Sequence, residues 1–554
     1  MTISAGPLDS VSPRPTLRST AQGMVLGVDD STRSGTWCWK GIPFARPPVG
    51  ELRWRAPAAP EPWTDIRDAG RFGQPCAQNG RLFGPGANNT FDATIGSTLN
   101  TAVGSEDCLT LNIWRPATVD TKLPVLLFIH GGSNISGYTA DPIYDGANLA
   151  RKGNAVVVTA NYRLGVLGFI DLPQLRTGDG DGGDSGNFAL LDIIAALRYI
   201  QANIANFGGD PDNVTLSGQS AGAINILAVM TSPLSRGLFH KAMPLSGGIS
   251  LTSNLPPGSL PTLMPASAYR AQGQALLLNL LIADGKAADL EGAAAYAATQ
   301  TDAQIADYLR AKDAKTILAL VLAKGLTVSG PIPDGNVVPA DPIAAIAEGS
   351  YARVPMLVGV TRDEGKLFAP FLVLFGGKPG FRIDDATRFR LMQDFDPDAQ
   401  TALTPADIID PSYLPATTPD TGYDAMTARI TDSFMRASRD NLLGALATQQ
   451  SDLWHYEFDW AQMPPPWNEV YGAAHAFDLA FLFGNFGPSL FARALYSEAN
   501  RPGRVALSDA MMASVAAFLH TGNPNTPELG ATWAPWPARL SFDATLDAPR
   551  ITVR

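Results

Sequence analysis

A serine hydroxyl holds its proton too tightly to attack a carbonyl unaided. It needs an imidazole to take that proton and a carboxylate to fix the imidazole's tautomer. One serine in this sequence sits where such help can be organised. Ser220 lies in Gly218-Gln219-Ser220-Ala221-Gly222, between a β-rich run (Val214, Thr215, Leu216) and an apolar segment from Ala223 to Met230. The pattern predicts strand, sharp turn and helix. Ser220 then occupies strained backbone, and the glycines at 218 and 222 fall where side chains would strike the adjoining strand and helix. G-x-S-x-G alone is weak evidence in a chain of 554 residues, and the strand before it and the helix after it give it weight.

Five histidines are available as the base. After a nucleophile on such an elbow the partners follow in the order serine, acid, histidine. His130 and His240 precede any acid turn and drop out. His455 falls inside a strand beside Leu453 and Glu457, a structural position, and His520 falls at a helix C-terminus, where the dipole favours a cation without catalysis. His475, in VYGAAHAFDLAFLFG, is expected on a Gly-bearing loop after the last core strand and is the expected base. For the acid, the strand Val354–Val360 ends in Thr361-Arg362-Asp363-Glu364-Gly365. The residues alone leave Asp363 and Glu364 both open, with Gly365 permitting a reversal that aims one of them inward. The oxyanion of an acyl-transfer intermediate needs fixed N–H donors. Ala221 N–H follows the nucleophile directly, and Gly131, Gly132 and Ser133 follow His130 at the end of a buried run.

The elements that must position these groups are legible as patterns. Pro124–His130 and Ala155–Ala160 are continuous apolar runs, the mark of strands covered on both faces. Ser105–Trp114 alternates and reads as a strand, as do Lys241–Ser246 and Asp452–Trp460. Leu190–Ile204 carries a helical apolar stripe. Buried strands alternating with helices imply a parallel sheet with right-handed crossovers. Residues 1–40 show little period, and Gly41–Trp63 reads as a Pro/aromatic surface crawl. Helical stretches such as Ala287–Thr299 and Asp302–Lys324 suggest a cap inserted at about 250–351, with a second insertion at about 367–450. Ser508–His520 reads as the closing helix. The whole, residues 1–554, is expected to be one large domain.

Composition excludes several classes. With 45% hydrophobic and 17% charged residues the chain is globular, and a net charge of −11 without any Lys/Arg cluster argues against nucleic acid. No apolar run reaches the length of a membrane span, and the N-terminus shows no leader, so the expectation is a cytoplasmic protein, or a secreted or periplasmic one if a leader was removed. Three widely spaced cysteines and scattered histidines match no zinc pattern. Thr177–Phe188 (TGDGDGGDSGNF) reads as a solvated loop, since Asp184 stands where a calcium loop needs Gly and Leu190 where it needs Glu. No metal and no cofactor are expected.

Taken together, GIPFARPPVGELRW, SEDCLTLNIW, FIHGGSNISG, NYRLGVLGF, NIANFGGDPDNVTLSGQSAG, LVGVTRDEG and YGAAHAFDLAFLFGN, in order from about residue 41 to 485, resemble the type-B carboxylesterases. This α/β-hydrolase family includes cholinesterases, para-nitrobenzyl esterases, some fungal lipases and neuroligin-like adhesion proteins. The resemblance implies an α/β-hydrolase fold, a mostly parallel central sheet flanked by helices with helical cap insertions. It implies Ser220 as nucleophile, Glu364 as acid and His475 as base, with Gly132, Ser133 and Ala221 as oxyanion donors. Ser246 matches a serine that supports the triad by hydrogen bonding. Cys76 and Cys108 match a family disulfide, which leaves Cys38 free.

Two departures bear on specificity. The family usually has Gly or Ala where this chain has Ser133, and often an aromatic where it has Asn134, a change expected to narrow or repolarise the acyl pocket. Cholinesterases carry Glu before the nucleophile and a Trp in the Cys-closed loop. Here Gln219 stands first and the Cys76–Cys108 loop has no Trp, so choline ester selectivity is not expected. The expected activity is that of a serine carboxylester hydrolase on small to medium esters through an acyl-enzyme, in a monomer or weak homo-oligomer whose partner is a small-molecule ester. Two alternatives stand beside it. One is an interfacial lipase with the Cys76–Cys108 loop as lid, although that loop offers only Leu82, Phe83 and Phe91 near its middle. The other is a non-catalytic adhesion or binding module, which the presence of all three triad residues argues against.

Overall fold

The computed structural model describes residues 15–178, 180 and 182–554. The first fourteen residues, which carry most of the reading of the N-terminus, and Asp179 and Asp181 of the acidic loop lie outside the described residues. An eleven-stranded sheet runs through the molecule. Its strands are β1 Val28–Asp30, β2 Thr36–Pro43, β3 Thr110–Pro116, β4 Leu123–Ile129, β5 Val156–Ala160, β6 Gly209–Gln219, β7 Lys241–Leu245, β8 Met356–Thr361, β9 Leu453–Phe458, β10 Arg539–Ala544 and β11 Pro549–Val553. They lie in the order β11-β10-β9-β8-β7-β6-β4-β5-β3-β2-β1. Every pairing from β10 across to β5 is parallel, and the pairings outside that block are antiparallel.

The unbroken apolar runs become the inner strands because both faces are covered. On β4, Leu126 and Phe128 enter one core, while Val125, Leu127 and Ile129 enter the other. The core of Val125, Leu127 and Ile129 is closed by α1 (Phe188–Asn203) and α2 (Ala221–Thr231), that of Leu126 and Phe128 by α8 (Arg501–Thr521). By length and hydropathy alone the Phe188–Phe207 helix could span a membrane, yet 72% of its apolar window is buried, as in a core helix. A third core lies in the first insertion, where α3 (Ala266–Ala283), α4 (Leu290–Ala298), α5 (Asp302–Arg310) and α6 (Ala314–Lys324) pack around Leu276, Leu280, Leu309 and Ile317. In the second insertion, α7 (Ala437–Ala447) returns to the sheet through Leu442, Leu443 and Leu446.

Several expectations change. The strand expected over 105–114 begins only at Thr110, and nearly all of β3 is buried without alternation because helices cover both faces. β2 runs into the stretch read as a surface crawl, since Trp37, Cys38, Trp39 and Ile42 are good strand formers and the first proline comes only at its end. Asp302–Lys324 is two helices, broken at Ala311-Lys312-Asp313. The helix read as closing is 21 residues long and is followed by β10 and β11. β11 is an exposed edge strand with no buried run to betray it. The loop of His475 therefore follows β9, with β10 still to come.

Candidate active site

β6 ends at Gln219, and α2 begins at Ala221 with Ser220 between them. Ser220 has φ 57° and ψ −124°, a backbone conformation that L-residues avoid. Its N–H donates to Leu245 O (2.8 Å) on β7, and its carbonyl accepts Ile224 N–H (3.1 Å), so the bend is pinned on both sides. A Cβ on Gly222 would lie 2.2 Å from Ile129 O, and one on Gly218 would lie 2.4 Å from Gly222 O. Both glycines are needed for the close approach of β4, β6 and α2.

The run His130-Gly131-Gly132-Ser133 leaves β4 beside this bend. A Cβ on Gly131 would lie 2.9 Å from Ser220 Cβ, so the loop runs close against Ser220. Gly132 (φ 102°) and Ser133 (φ 56°) hold left-handed geometry. Among the described residues their N–H groups have no hydrogen-bond acceptor. Ala221 N–H, at the first position of α2, is free by helix geometry. Ser133 and Ala221 line the same cavity as Ser220.

Glu364 and His475 come together. Glu364 is fully buried in the turn after β8. Its Oε1 accepts Thr361 N–H (2.8 Å) and its Oε2 meets His475 Nδ1 at 2.5 Å. Asp363, the other acid left open by the sequence, plays a different part. Its Oδ2 accepts from Arg362 (Nη2 2.7 Å, Nε 3.1 Å) and from Ala473 N–H (2.9 Å), while Asp363 N–H donates to Ala473 O (2.9 Å). Asp363 therefore clamps the histidine loop to the turn that carries Glu364. Burial pushes its carboxyl up, but the Arg362 guanidinium more than offsets this and holds it below the usual carboxylate range. Gly472 sits inside the clamp, where a Cβ would lie 2.3 Å from Asp363 Oδ2.

His475 Nε2 meets the side-chain amide of Gln219 at 3.0 Å. Ser220 Oγ makes no hydrogen bond among the described residues, so the serine and the imidazole adjoin the same elbow without bonding each other. Ser246 Oγ, buried and lining one cavity with Ser220, also has no hydrogen-bond partner among the described residues. The supporting bond implied for it by the resemblance is not formed here.

The other histidines occupy structural positions. His130 is buried, bonded through Nδ1 to Gly131 O (2.8 Å) and stacked on Tyr162, and burial holds it at about 4. His455 on β9 bonds Val358 O and lies 3.2 Å from Arg439. Burial and that charge hold it at about 3. His520 bonds Gly153 O, and His240 accepts Val214 N–H. Cys76 and Cys108 form a disulfide with Cα atoms 4.9 Å apart, and Cys38 is free and buried. In the acidic loop Asp184 accepts Thr177 and Gly178 N–H.

A cavity of about 160 Å³ opens on Ser220. Its lining includes the polar residues Ser133, Asn134, Thr262 and Ser329 and the apolar residues Phe368, Phe371, Phe434 and Met435. Asn134 does not offer its amide freely, for it is paired reciprocally with Asn225 (2.7 and 3.2 Å). Phe368 links the cavity to His475, its ring 4.7 Å from the imidazole and 5.8 Å from Phe371. Sequence reasoning missed the Asp363 clamp, the Asn225 partner and the aromatic wall. A signal for the wall was present in Lys366-Leu367-Phe368-Ala369-Pro370-Phe371, directly after the acid turn.

A mostly parallel sheet with a serine on the turn after a central strand, and with acid and histidine on loops after later strands, defines an α/β-hydrolase. Residues 14–545 match the sequence model of the Carboxylesterase family, and the chain belongs to that family. The para-nitrobenzyl esterase of Bacillus subtilis (strain 168) is 33% identical over 528 residues, covering 94% of this chain and 92% of its own. The fumonisin B1 esterase of Sphingopyxis macrogoltabida is 35% identical over 477 residues, 85% of this chain and 76% of its own. Among solved structures, a PNB esterase superposes with a TM-score of 0.71 at 30% identity, covering 97% of each chain. The protein is a serine-hydrolase-type carboxylesterase acting on carboxylic esters.

Proposed function

We propose that Ser220 Oγ is the nucleophile, His475 the general base and Glu364 the carboxylate that orients it. The observation that carries this reading is the buried 2.5 Å contact between Glu364 Oε2 and His475 Nδ1, with Nε2 turned toward the elbow. Ser220 Oγ adds to the ester carbonyl as its proton passes to Nε2. The oxyanion is met by the N–H groups of Gly132, Ser133 and Ala221. Collapse breaks the bond to the alcohol oxygen, which takes the proton from Nε2 and leaves an acyl-Ser220. Water then repeats the cycle and frees the acid.

The leaving oxygen must lie beside the imidazole to receive that proton. Phe368 is the ring against the imidazole, so the alcohol portion packs along Phe368, Phe371 and Phe434, and the acyl group points toward Ser133, Asn134 and Ser329. Small acyl groups on aryl or benzylic alcohols are the favoured substrates. A matrix of esters varied separately in acyl and alcohol parts tests this, since the preference should follow aromatic bulk on the alcohol. Equal rates for aryl and short alkyl acetates of matched reactivity would count against it. The Cys76–Cys108 disulfide supports an oxidising compartment over the cytoplasmic expectation.

One observation favours a second reading, hydrolysis of longer chains at a lipid surface. Phe371 of the cavity lining and the nearby Val373 and Leu374 in the chain are 48%, 47% and 62% exposed. The Cys-closed loop supplies little such surface, since Leu82 is buried and Phe83 packs on Phe491. A sharp rate increase as a long-chain ester passes its critical micelle concentration would move the assignment to a lipase.

A further inference from the structure

The imidazole of His475 has two nitrogens, and both are engaged in the free enzyme. Nδ1 carries the proton given to the Glu364 carboxylate (2.5 Å), which leaves Nε2 with a single lone pair. The Gln219 amide donates to that lone pair at 3.0 Å. Ser220 Oγ needs the same lone pair, and among the described residues it makes no hydrogen bond. Gln219 is held in place: it is buried, it is the last residue of β6, and its Oε1 lies under Gly131, where a Cβ would come within 2.8 Å of it. The residue before the nucleophile thus reaches past Ser220 to the base and lies against the oxyanion loop.

We propose that Gln219 caps the resting base, and that its hydrogen bond to His475 Nε2 must break before Ser220 can transfer its proton. Residue 219 is then a positioning residue that sets how available the base is and the pH range in which it works. This rests on the reading of His475 as the base. A neutral amide can only compete with the serine for the lone pair. A carboxylate in its place would instead favour imidazolium, because it accepts from a protonated Nε2. The charged and titratable groups that face the imidazole are Glu364 at Nδ1 and Asp478 on its own loop, the latter bonded to Tyr456 O–H of β9. These stay the same when residue 219 alone is changed.

The experiment is the pH profile of kcat/KM for p-nitrophenyl acetate with wild type, Gln219→Met and Gln219→Glu, each normalised to folded protein. Methionine fills the space without a donor, and kcat/KM should rise about twofold to tenfold, the range that freeing one neutral hydrogen bond represents. Glutamate should move the acidic limb about one pH unit upward. A loss of activity in Gln219→Met together with an acidic limb unmoved in Gln219→Glu would overturn the proposal and leave Gln219 a packing residue. Should methionine prevent folding, the isosteric glutamate profile decides alone. Ser220→Ala is run alongside: its loss of turnover upholds the nucleophile whatever the 219 variants do, so the two claims fail separately.

Discussion

The two acids of the turn after β8 invite a direct contrast between Asp363→Asn and Glu364→Gln, changes of equal size that remove one charge each. Glu364 is fully buried, with one oxygen taken by Thr361 N–H and the other by His475 Nδ1. An amide there must turn an N–H toward Nδ1. The imidazole then moves its proton to Nε2 and loses the lone pair that Ser220 needs. Changes of this kind in Ser-His-acid triads cost about 10⁴ in kcat. Among the described residues Asp363 makes no hydrogen bond to His475, and asparagine keeps an oxygen for Ala473 N–H. What is lost is the charge pair with Arg362, whose side chain is 41% exposed, so water recovers much of it and about 1 kcal/mol of stability is at stake. A slightly looser histidine loop should lower kcat by less than about tenfold. Initial rates on p-nitrophenyl acetate, with thermal melts to confirm folding, should separate the variants by about three orders of magnitude. Equal loss in two well-folded variants, or the reverse order, would refute the assignment of Glu364 and return the role to Asp363.

Burial, with the nearby Glu364 charge, pushes the Asp478 carboxyl up from 3.8 to about 6 against the hydrogen bond from Tyr456. The native state therefore keeps a proton that the unfolded chain releases, and the stability this gives is lost as pH rises from about 4 to 6. Asp478→Asn lacks that loss and should gain on wild type by up to about 3 kcal/mol across the window. Melts at pH 4 and pH 7 showing a constant difference would contradict this. The Cys76–Cys108 disulfide spans a sequence separation of 32, so replacing both by serine should cost about 3–4 kcal/mol in the loop-entropy account, with reductant bringing wild type to the same melting point. Gly222→Ala, with its Cβ 2.2 Å from Ile129 O, should disrupt the elbow and lose both solubility and activity, and a soluble active variant would show that the elbow has room to spare.

The inner sheet was legible because strands buried on two faces leave apolar runs that need no tertiary information to recognise. The Pro124–His130 run, for example, gave β4. β11 was missed, and β3 was begun too early at Ser105, for the opposite reason. An exposed edge strand and a strand that follows a disulfide-linked loop take their form from neighbours, not from a local period. The elbow could be read from its glycines because close backbone approach forbids every other residue there. Asp363 and Glu364 could not be separated by position, since adjacent residues on a turn point in different directions and only the path of the histidine loop decides which one meets the imidazole. Gln219 was legible as a departure from the cholinesterases, but its contact with the base depends on the same loop, 256 residues away.

Fluorophosphonate labelling followed by peptide mass analysis of wild type, Ser220→Ala, His475→Ala and His455→Ala decides whether Ser220 is the nucleophile and His475 its base. One adduct is expected on the peptide carrying Ser220, none in Ser220→Ala, labelling slowed by orders of magnitude in His475→Ala, and near-normal labelling in a folded His455→Ala. An adduct on a different serine, or undiminished labelling without the imidazole of His475, would contradict these assignments.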